Sequence, residues 1–119
     1  MSAKIYQYSL PLPPSVNSLW RTGRARMYRS KKYLEWIDEC METFAERNVP
    51  QIDYPFAIEI ALGRPSKRRM DLDNRIKAVM DLLERAGVIA DDCWAWHITV
   101  YWKEDLKGCQ VTIHKAAVH

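Results

Sequence analysis

Four aspartates stand in two close pairs along the chain, Asp71 with Asp73 and Asp91 with Asp92. The first pair follows the basic run of residues 67–69 after a single residue, Met70. Lysine and arginine attract a polyanion, whereas clustered carboxylates repel it unless a divalent cation lies between them. Carboxylate oxygens are the ligands that Mg²⁺ prefers, with Mn²⁺ as the usual alternative. A basic run beside an acidic pair therefore predicts a metal-dependent nuclease.

The spacing of these carboxylates indicates how they would share one ion. Side chains two residues apart lie on one face of extended backbone but diverge by roughly 200° in a helix. We therefore expect extended chain between Asp71 and Asp73, at the start of a helix where aspartate is a favoured N-cap. Gly87 is placed to end that helix, so the chain can return Asp91 or Asp92 to the same site. Three carboxylates would then surround Mg²⁺.

Two other polar residues of the same predicted helix complete the candidate site. Lys77 follows Asp73 by four residues and so lies one turn later on the same helix face. Its ammonium group is suited to stabilising charge on a phosphate or on the transition state. Asn74 is suited to orienting a metal-bound water or holding a carboxylate. Phosphodiester hydrolysis needs such charge neutralisation together with an activated water, which a carboxylate-bound metal supplies.

Each of these features also has a simpler structural explanation. Asp71 or Asp73 would stabilise a helix by about 1 kcal/mol as a cap alone. Asp73 and Lys77 form an ordinary i,i+4 pair, worth a few tenths of a kcal/mol. Asp91 and Asp92 would suit any solvated loop before a strand. Each feature alone favours the structural explanation, but their combination with the adjoining basic run favours a nuclease.

Ten of the 18 lysines and arginines lie in two short windows without an acidic residue. The first basic stretch, residues 21–32, holds six of them, and the second basic stretch, residues 64–69, holds four. Most charge runs are solvated loops, but two of them beside paired carboxylates are typical of a surface that binds the phosphate backbone of DNA. The residues assigned to DNA are Arg21, Arg24, Arg26, Lys67, Arg68, Arg69 and Asn74.

The order of predicted elements is β-α-β-α-β-β. Strands are predicted from alternating apolar residues, and helices from apolar residues three or four apart. The predicted strands cover residues 4–10, 56–62, 94–102 and a last strand through Val111 and Ile113, and the predicted helices cover residues 30–48 and 72 or 73–86. These elements indicate one α+β domain over residues 1–119, with a mixed sheet packed against two helices.

The third predicted strand carries an unusual stripe of large apolar residues at every second position, Trp94, Trp96, Ile98, Val100 and Trp102. Such a stripe most often belongs to the core. In so small a protein it is also suited to a dimer contact.

Composition is ordinary for a soluble globular protein. The 119 residues are 48% hydrophobic and 28% charged, and no apolar run approaches the roughly 20 residues of a membrane span. The N-terminus lacks the pattern of a secretory signal, so we expect a cytoplasmic location. The three cysteines, Cys40, Cys93 and Cys109, are an odd set and are predicted to be buried thiols rather than disulfides.

The chain resembles the RusA family of Holliday junction resolvases over essentially the whole sequence. The resemblance rests on the tetrad Asp-Leu-Asp-Asn at residues 71–74 after Lys and Arg, on Lys77, on Ala86-Gly87 and on the later aspartate pair. The early segment Pro-Pro-Ser-Val-Asn at residues 13–17, followed by Arg21, is also similar. Met70 departs from the family pattern, because members often carry Arg there.

The resemblance implies a magnesium-dependent homodimeric endonuclease that introduces paired nicks into four-way DNA junctions. It assigns the catalytic and metal-binding carboxylates to Asp71, Asp73 and Asp92, with Asp91 as the less certain ligand and Lys77 as the supporting cation. Two other functions remain compatible with the sequence. One is a non-catalytic nucleic-acid-binding regulator in which the acids only cap a helix. The other is a metal nuclease that acts on other branched DNA or on single strands.

Overall fold

The computed structural model describes residues 5–14, 31–45, 50–64 and 72–117, with the backbone alone described for Asp73 and Asn74. These residues form four strands, two helices and one short 3₁₀ turn. In chain order the elements are β1 (Ile5–Leu10), α1 (Lys31–Phe44), β2 (Phe56–Gly63), α2 (Asp73–Arg85), the 3₁₀ turn (Asp92–Trp94), β3 (Ala95–Lys103) and β4 (Cys109–Lys115). The predicted order β-α-β-α-β-β is confirmed.

The four strands form one mixed sheet in the order β1-β4-β2-β3. β4 lies antiparallel to both β1 and β2, whereas β2 and β3 are parallel. Two parallel neighbours need a crossover connection, and α2 supplies it here. The sheet and the two helices confirm the predicted α+β fold.

The core lies between the sheet and the two helices. β2 is central, and Phe56, Ile58, Ile60 and Leu62 on one of its faces are almost completely buried. From α1 the core receives the buried residues Tyr33, Trp36, Ile37, Cys40 and Phe44. From α2 it receives Ala78, Val79, Met80, Leu82 and Leu83. The helical and alternating patterns of the sequence agree with these buried faces, because each pattern places its apolar residues on one face of its element.

The helix ends agree with the sequence prediction at one helix and differ at the other. α2 ends at Arg85, and Gly87 adopts the left-handed backbone conformation expected of a residue just beyond a helix (φ 76°). α1 ends at Phe44, earlier than the predicted residue 48. The predicted N-cap of α1, Ser30, lies outside the described residues.

β3 is an edge strand, and its apolar stripe is only partly buried. Trp96 is 55% exposed and Ile98 is 45% exposed, so the prediction that the stripe belongs to the core is wrong for these two residues. The pairing of β3 with β2 has an irregularity at Trp96, because Ala95 pairs with Phe56 and His97 pairs with the next residue of β2. An edge strand is paired with another strand on one side only. Fewer neighbouring residues therefore cover its large side chains, which remain partly exposed to solvent.

The three cysteines do not share one environment. Cys40 and Cys109 are buried, as predicted, and burial raises the pKa of each thiol to about 12. Cys93 is exposed, so the prediction of a buried thiol is wrong there. It lies in the 3₁₀ turn before β3, where the chain has left the core. All three are free thiols. Neither described helix is long and apolar enough to cross a membrane.

The central position of β2 leads to a stability prediction. Ile60 is completely buried, whereas Ile5 on β1 is 63% exposed. Ile60→Ala should lower the free energy of unfolding by about 2–5 kcal/mol, because it leaves a cavity in the core. The matched substitution Ile5→Ala should change it by less than about 0.5 kcal/mol. Urea denaturation measures both values, and equal effects would contradict the described core.

Candidate metal centre

The helix predicted to carry the site, α2, begins at Asp73, within the predicted range. Its N-cap is Leu72, an apolar residue with helical backbone angles (φ −70°, ψ −48°). The expectation of extended chain between Asp71 and Asp73 is therefore wrong at Leu72. Asp71 lies outside the described residues, as do the side chains of Asp73 and Asn74.

Asp92 and Lys77 lie on the same surface groove between α2 and the start of β3. The 3₁₀ turn that follows α2 brings Asp92 back beside the helix. The pKa of Asp92 is raised overall, chiefly by its hydrogen bond with Asp91, and the Lys77 charge opposes this shift. We call this surface the α2–β3 groove, lined by Ile76, Lys77, Met80, Asp81, Asp92, Ala95 and Ile98.

Asp91 has a structural contact of its own. Its backbone is extended, and it stands at the N-cap of the 3₁₀ turn. Its Oδ1 accepts a hydrogen bond of 2.9 Å from the backbone N–H of Cys93. A capping carboxylate satisfies an N–H group that the turn leaves without a backbone partner. This contact gives Asp91 a role in shaping the loop that presents Asp92.

A third carboxylate, which the sequence analysis missed, lies beside the aspartate pair. Oε1 of Glu84 accepts a hydrogen bond of 2.8 Å from the backbone N–H of Asp92. One carboxylate oxygen from each of Glu84, Asp91 and Asp92 lies within 4.8 Å of the other two. All three residues are exposed.

The spacing of charged residues along α2 could have predicted the two acidic residues that the sequence analysis missed, Asp81 and Glu84. Asp81 and Glu84 follow Lys77 by four and seven residues, and Lys77 itself follows Asp73 by four. Such spacings place side chains on one face of a helix. Asp81 lines the α2–β3 groove with Lys77, and Glu84 contacts the loop that carries Asp92. Extending the Asp73–Lys77 stripe by two turns would have identified both residues.

The two neighbouring aspartates have opposite pKa shifts. A hydrogen bond with the Asp91 carboxyl raises the pKa of Asp92, and partial desolvation and the Glu84 charge add to this effect. The pKa of Asp91 is lowered, chiefly by the backbone N–H of Cys93. A divalent cation bound between these carboxylates would favour the ionised form of each.

The donor atoms at this site fit a hard cation. Glu84, Asp91 and Asp92 present oxygen alone, which is the donor type of magnesium and manganese sites rather than of zinc or copper sites. The residues assigned to DNA from the two basic stretches, Arg21, Arg24, Arg26, Lys67, Arg68 and Arg69, lie outside the described residues. Arg64, at the start of the second basic stretch, is described and exposed.

Comparison with known proteins identifies relatives over most of the chain. The family described as "Endodeoxyribonuclease RusA" matches residues 11–114. A protein of Aquifex aeolicus (strain VF5) described as "Crossover junction endodeoxyribonuclease RusA" is 30% identical over 90 residues, which cover 75% of this chain and 71% of the relative.

Two other relatives with the same description come from a phage and from a bacterium. The protein of Enterobacteria phage HK97 is 32% identical over 88 residues, and that of Escherichia coli (strain K12) is 34% identical over 88 residues. Each match covers 73% of this chain and 73% of the relative. Because the family match extends from residue 11, just after β1, to residue 114 in β4, the chain belongs to the RusA family of endodeoxyribonucleases.

Proposed function

We propose that this protein is a magnesium-dependent endonuclease that resolves four-way DNA junctions during recombination and repair. The observation that carries the proposal is the position of Asp92 beside Lys77 on the α2–β3 groove, in a chain of the RusA family. A carboxylate and a cation on one groove supply the two kinds of group that metal-assisted phosphoryl chemistry needs. We further propose that residues 1–119 form a single endonuclease domain that acts in the cytoplasm.

In this proposal Asp71, Asp73 and Asp92 hold the metal ion. Because Leu72 is helical, the assignment of the first two residues rests on the family resemblance rather than on extended backbone. Asp91 caps the 3₁₀ turn and is a ligand of secondary importance. When bound, the ion supplies an acidified water and neutralises charge on the phosphate.

Lys77 and the two basic stretches interact with the negative charge of the DNA. Lys77 is exposed on α2, where its ammonium group can approach a phosphate oxygen next to Asp92. There it stabilises the charge that builds up in the transition state. The two basic stretches bind the DNA backbone by shape and charge, with little dependence on base sequence.

We also propose that the protein acts as a homodimer through the exposed edge of β3. A four-way junction is close to two-fold symmetric, so a two-fold dimer presents one site to each of two opposite strands. Trp96 and Ile98 offer large apolar side chains at this edge. Ile98 also lines the α2–β3 groove, so a partner placed there would lie next to Asp92.

The first prediction concerns the substrate and the ligand Asp73. In Mg²⁺ the parent protein should cut a four-way junction at least about 10-fold faster than flap, duplex or single-stranded DNA of the same sequence. Asp73→Asn should reduce junction cleavage at least about 100-fold, because it removes a charged ligand while retaining side-chain size. Single-turnover cleavage measures the rates. Fluorescence anisotropy in EDTA measures junction binding, and the affinities of Asp73→Asn and the parent should agree within about threefold.

Other results of this experiment would support other functions. Faster cutting of flaps or single strands would identify a metal nuclease for other DNA. Binding that depends on salt but not on metal, with no product at any Mg²⁺ or Mn²⁺ concentration, would identify a non-catalytic binder. A rate for Asp73→Asn equal to that of the parent would refute the ligand assignment.

The second prediction separates the two neighbouring aspartates. Asp92→Asn should reduce cleavage by about 100-fold, because it removes a metal ligand. Asp91→Asn should reduce it by less than about 10-fold, because asparagine caps a turn as well as aspartate does. Single-turnover rates over a Mg²⁺ titration measure both effects, and the reverse order would assign the ligand role to Asp91.

The third prediction concerns the dimer. Ile98→Ser should weaken self-association at least about 10-fold, which corresponds to about 1.4 kcal/mol, because it removes apolar surface from the β3 edge. Ile5→Ser changes an isoleucine at the opposite edge of the sheet that is more exposed than Ile98 (63% against 45%), and it should leave self-association unchanged. Sedimentation equilibrium measures both constants. A larger effect of Ile5→Ser would place the interface at β1.

A further inference from the structure

Glu84 joins the last turn of α2 to the 3₁₀ turn that carries Asp92. Its Oε1 accepts a hydrogen bond of 2.8 Å from the backbone N–H of Asp92, which lies eight residues later in the chain. That N–H belongs to the first residue of the 3₁₀ turn, where N–H groups have no backbone partner within the turn. By contrast, Asp91 accepts hydrogen bonds from Cys93 and Trp94, inside the turn itself. The hydrogen bond of Glu84 therefore connects the turn to α2.

The chain just before the two aspartates is anchored by the core. Residues 88–90 follow α2, and the first two of them are almost completely buried. The backbone N–H of Ile52 donates a hydrogen bond of 2.8 Å to the carbonyl of Val88, and the carbonyl of Ile52 accepts one of 2.9 Å from Ala90. Asp92, two residues further on, is exposed. A contact from α2 at this point can therefore decide where the Asp92 carboxylate lies.

The location of Glu84 is electrostatically unfavourable. It is the next-to-last residue of α2, where the helix dipole disfavours an anion. Its carboxylate also lies beside those of Asp91 and Asp92, and like charges at short range repel each other. An exposed side chain of this kind adds little to the stability of a fold. Stability is therefore a weak reason for the contact with Asp92, and the placement of Asp92 is a stronger one.

We propose that Glu84 is a positioning residue that holds Asp92 in place for the metal ion. The same face of α2 carries Lys77, seven residues before Glu84. Because Lys77 and Asp92 line the α2–β3 groove together, the helix fixes the carboxylate relative to the cation. Groups that orient a metal ligand commonly raise metal affinity or activity by about 10- to 100-fold. The inference rests on the proposed function in taking Asp92 as a metal ligand.

A positioning role and a ligand role have different consequences for metal dependence. Without the hydrogen bond the turn would sample several conformations, and the ion would bind the fraction in which Asp92 is correctly placed. The apparent metal affinity falls with that fraction, whereas saturating metal restores the bound arrangement. Loss of a ligand oxygen instead lowers the cleavage rate even at saturating metal, because the bound ion itself is altered.

Two substitutions of Glu84 separate its hydrogen bond from its charge. Glu84→Ala removes both, whereas Glu84→Gln removes the charge and keeps an oxygen that can accept from the N–H of Asp92. Glu42→Ala removes an exposed glutamate near the end of α1 and controls for the loss of a helical surface charge. Mn²⁺ binding to the metal-free proteins is measured by electron paramagnetic resonance of the free ion. Glu84→Ala should bind Mn²⁺ at least about fivefold more weakly than Glu84→Gln, and Glu42→Ala should match the parent within about twofold.

Amide hydrogen exchange tests the contact itself without metal or DNA. In NMR spectra of the metal-free proteins, the Asp92 amide should exchange at least about 10-fold faster in Glu84→Ala than in Glu84→Gln. The amide of Ile58, in the centre of β2, should exchange at the same rate in every variant, because the global stability is unchanged. An Asp92 amide that exchanges equally fast in the parent and in Glu84→Ala would overturn the inference.

Junction cleavage completes the test. Glu84→Ala should raise the Mg²⁺ concentration for half-maximal cleavage at least about fivefold over Glu84→Gln, while the rate at saturating Mg²⁺ stays within about threefold of the parent. Equal effects of the two substitutions would overturn the positioning role, because charge alone would explain them. So would a loss of about 100-fold in the saturating rate of both variants, since Glu84 would then be a ligand. A parent that binds Mn²⁺ but cuts no junction would refute the proposed function, and Mn²⁺ binding and amide exchange would still decide the role of Glu84.

Discussion

The parallel pairing of β2 with β3 is the constraint on which the candidate site depends. Adjacent parallel strands cannot be joined by a tight turn, so the chain must cross over the sheet, and α2 is that crossover. The end of α2 and the start of β3 are then separated by a short loop. That loop returns Asp92 to the side of the helix that carries Lys77. A carboxylate and a cation on different elements thus become neighbours through strand pairing rather than through any attraction between them.

Repulsion among the carboxylates is the cost of this arrangement. Glu84, Asp91 and Asp92 bring three acidic groups together, and the raised pKa of Asp92 reflects their mutual effect. Backbone N–H groups relieve part of it, because Asp91 accepts from Cys93 and Glu84 accepts from Asp92 itself. The first of these hydrogen bonds favours the ionised form of Asp91, and both hold the loop in shape before a cation arrives. The local geometry is therefore organised by the protein, and an ion would add charge neutralisation to a shape already present.

The sequence predicted the order and type of the secondary-structure elements well, but it predicted the burial and tertiary contacts of individual side chains less well. The periodicity of apolar residues agrees with the buried faces of β2 and α2. The face of an element that packs on the core is apolar, and its residues recur with the period of that element. It did not predict the exposure of Trp96 and Ile98, since alternation shows which side chains share a face but not whether a strand lies at an edge. Glu84 and Arg75 were missed for a related reason. A charged residue on a helix is usually exposed and structurally neutral, and only the tertiary contacts reveal what each one holds.

These two residues show that α2 has separate tasks along its length. Its first turn carries Asp73 and the buried Arg75, whose Nε donates a hydrogen bond to the carbonyl of Pro13 just after β1. Its last turns carry Glu84, which contacts the loop of Asp92. The face between them packs on the core and keeps both ends in a fixed relation, because a helix of 13 residues is about 20 Å of rigid structure. The contact with Pro13 and the contact with the loop of Asp92 are therefore held in a fixed relation by one helix, so that a change in the packing of α2 would affect both together.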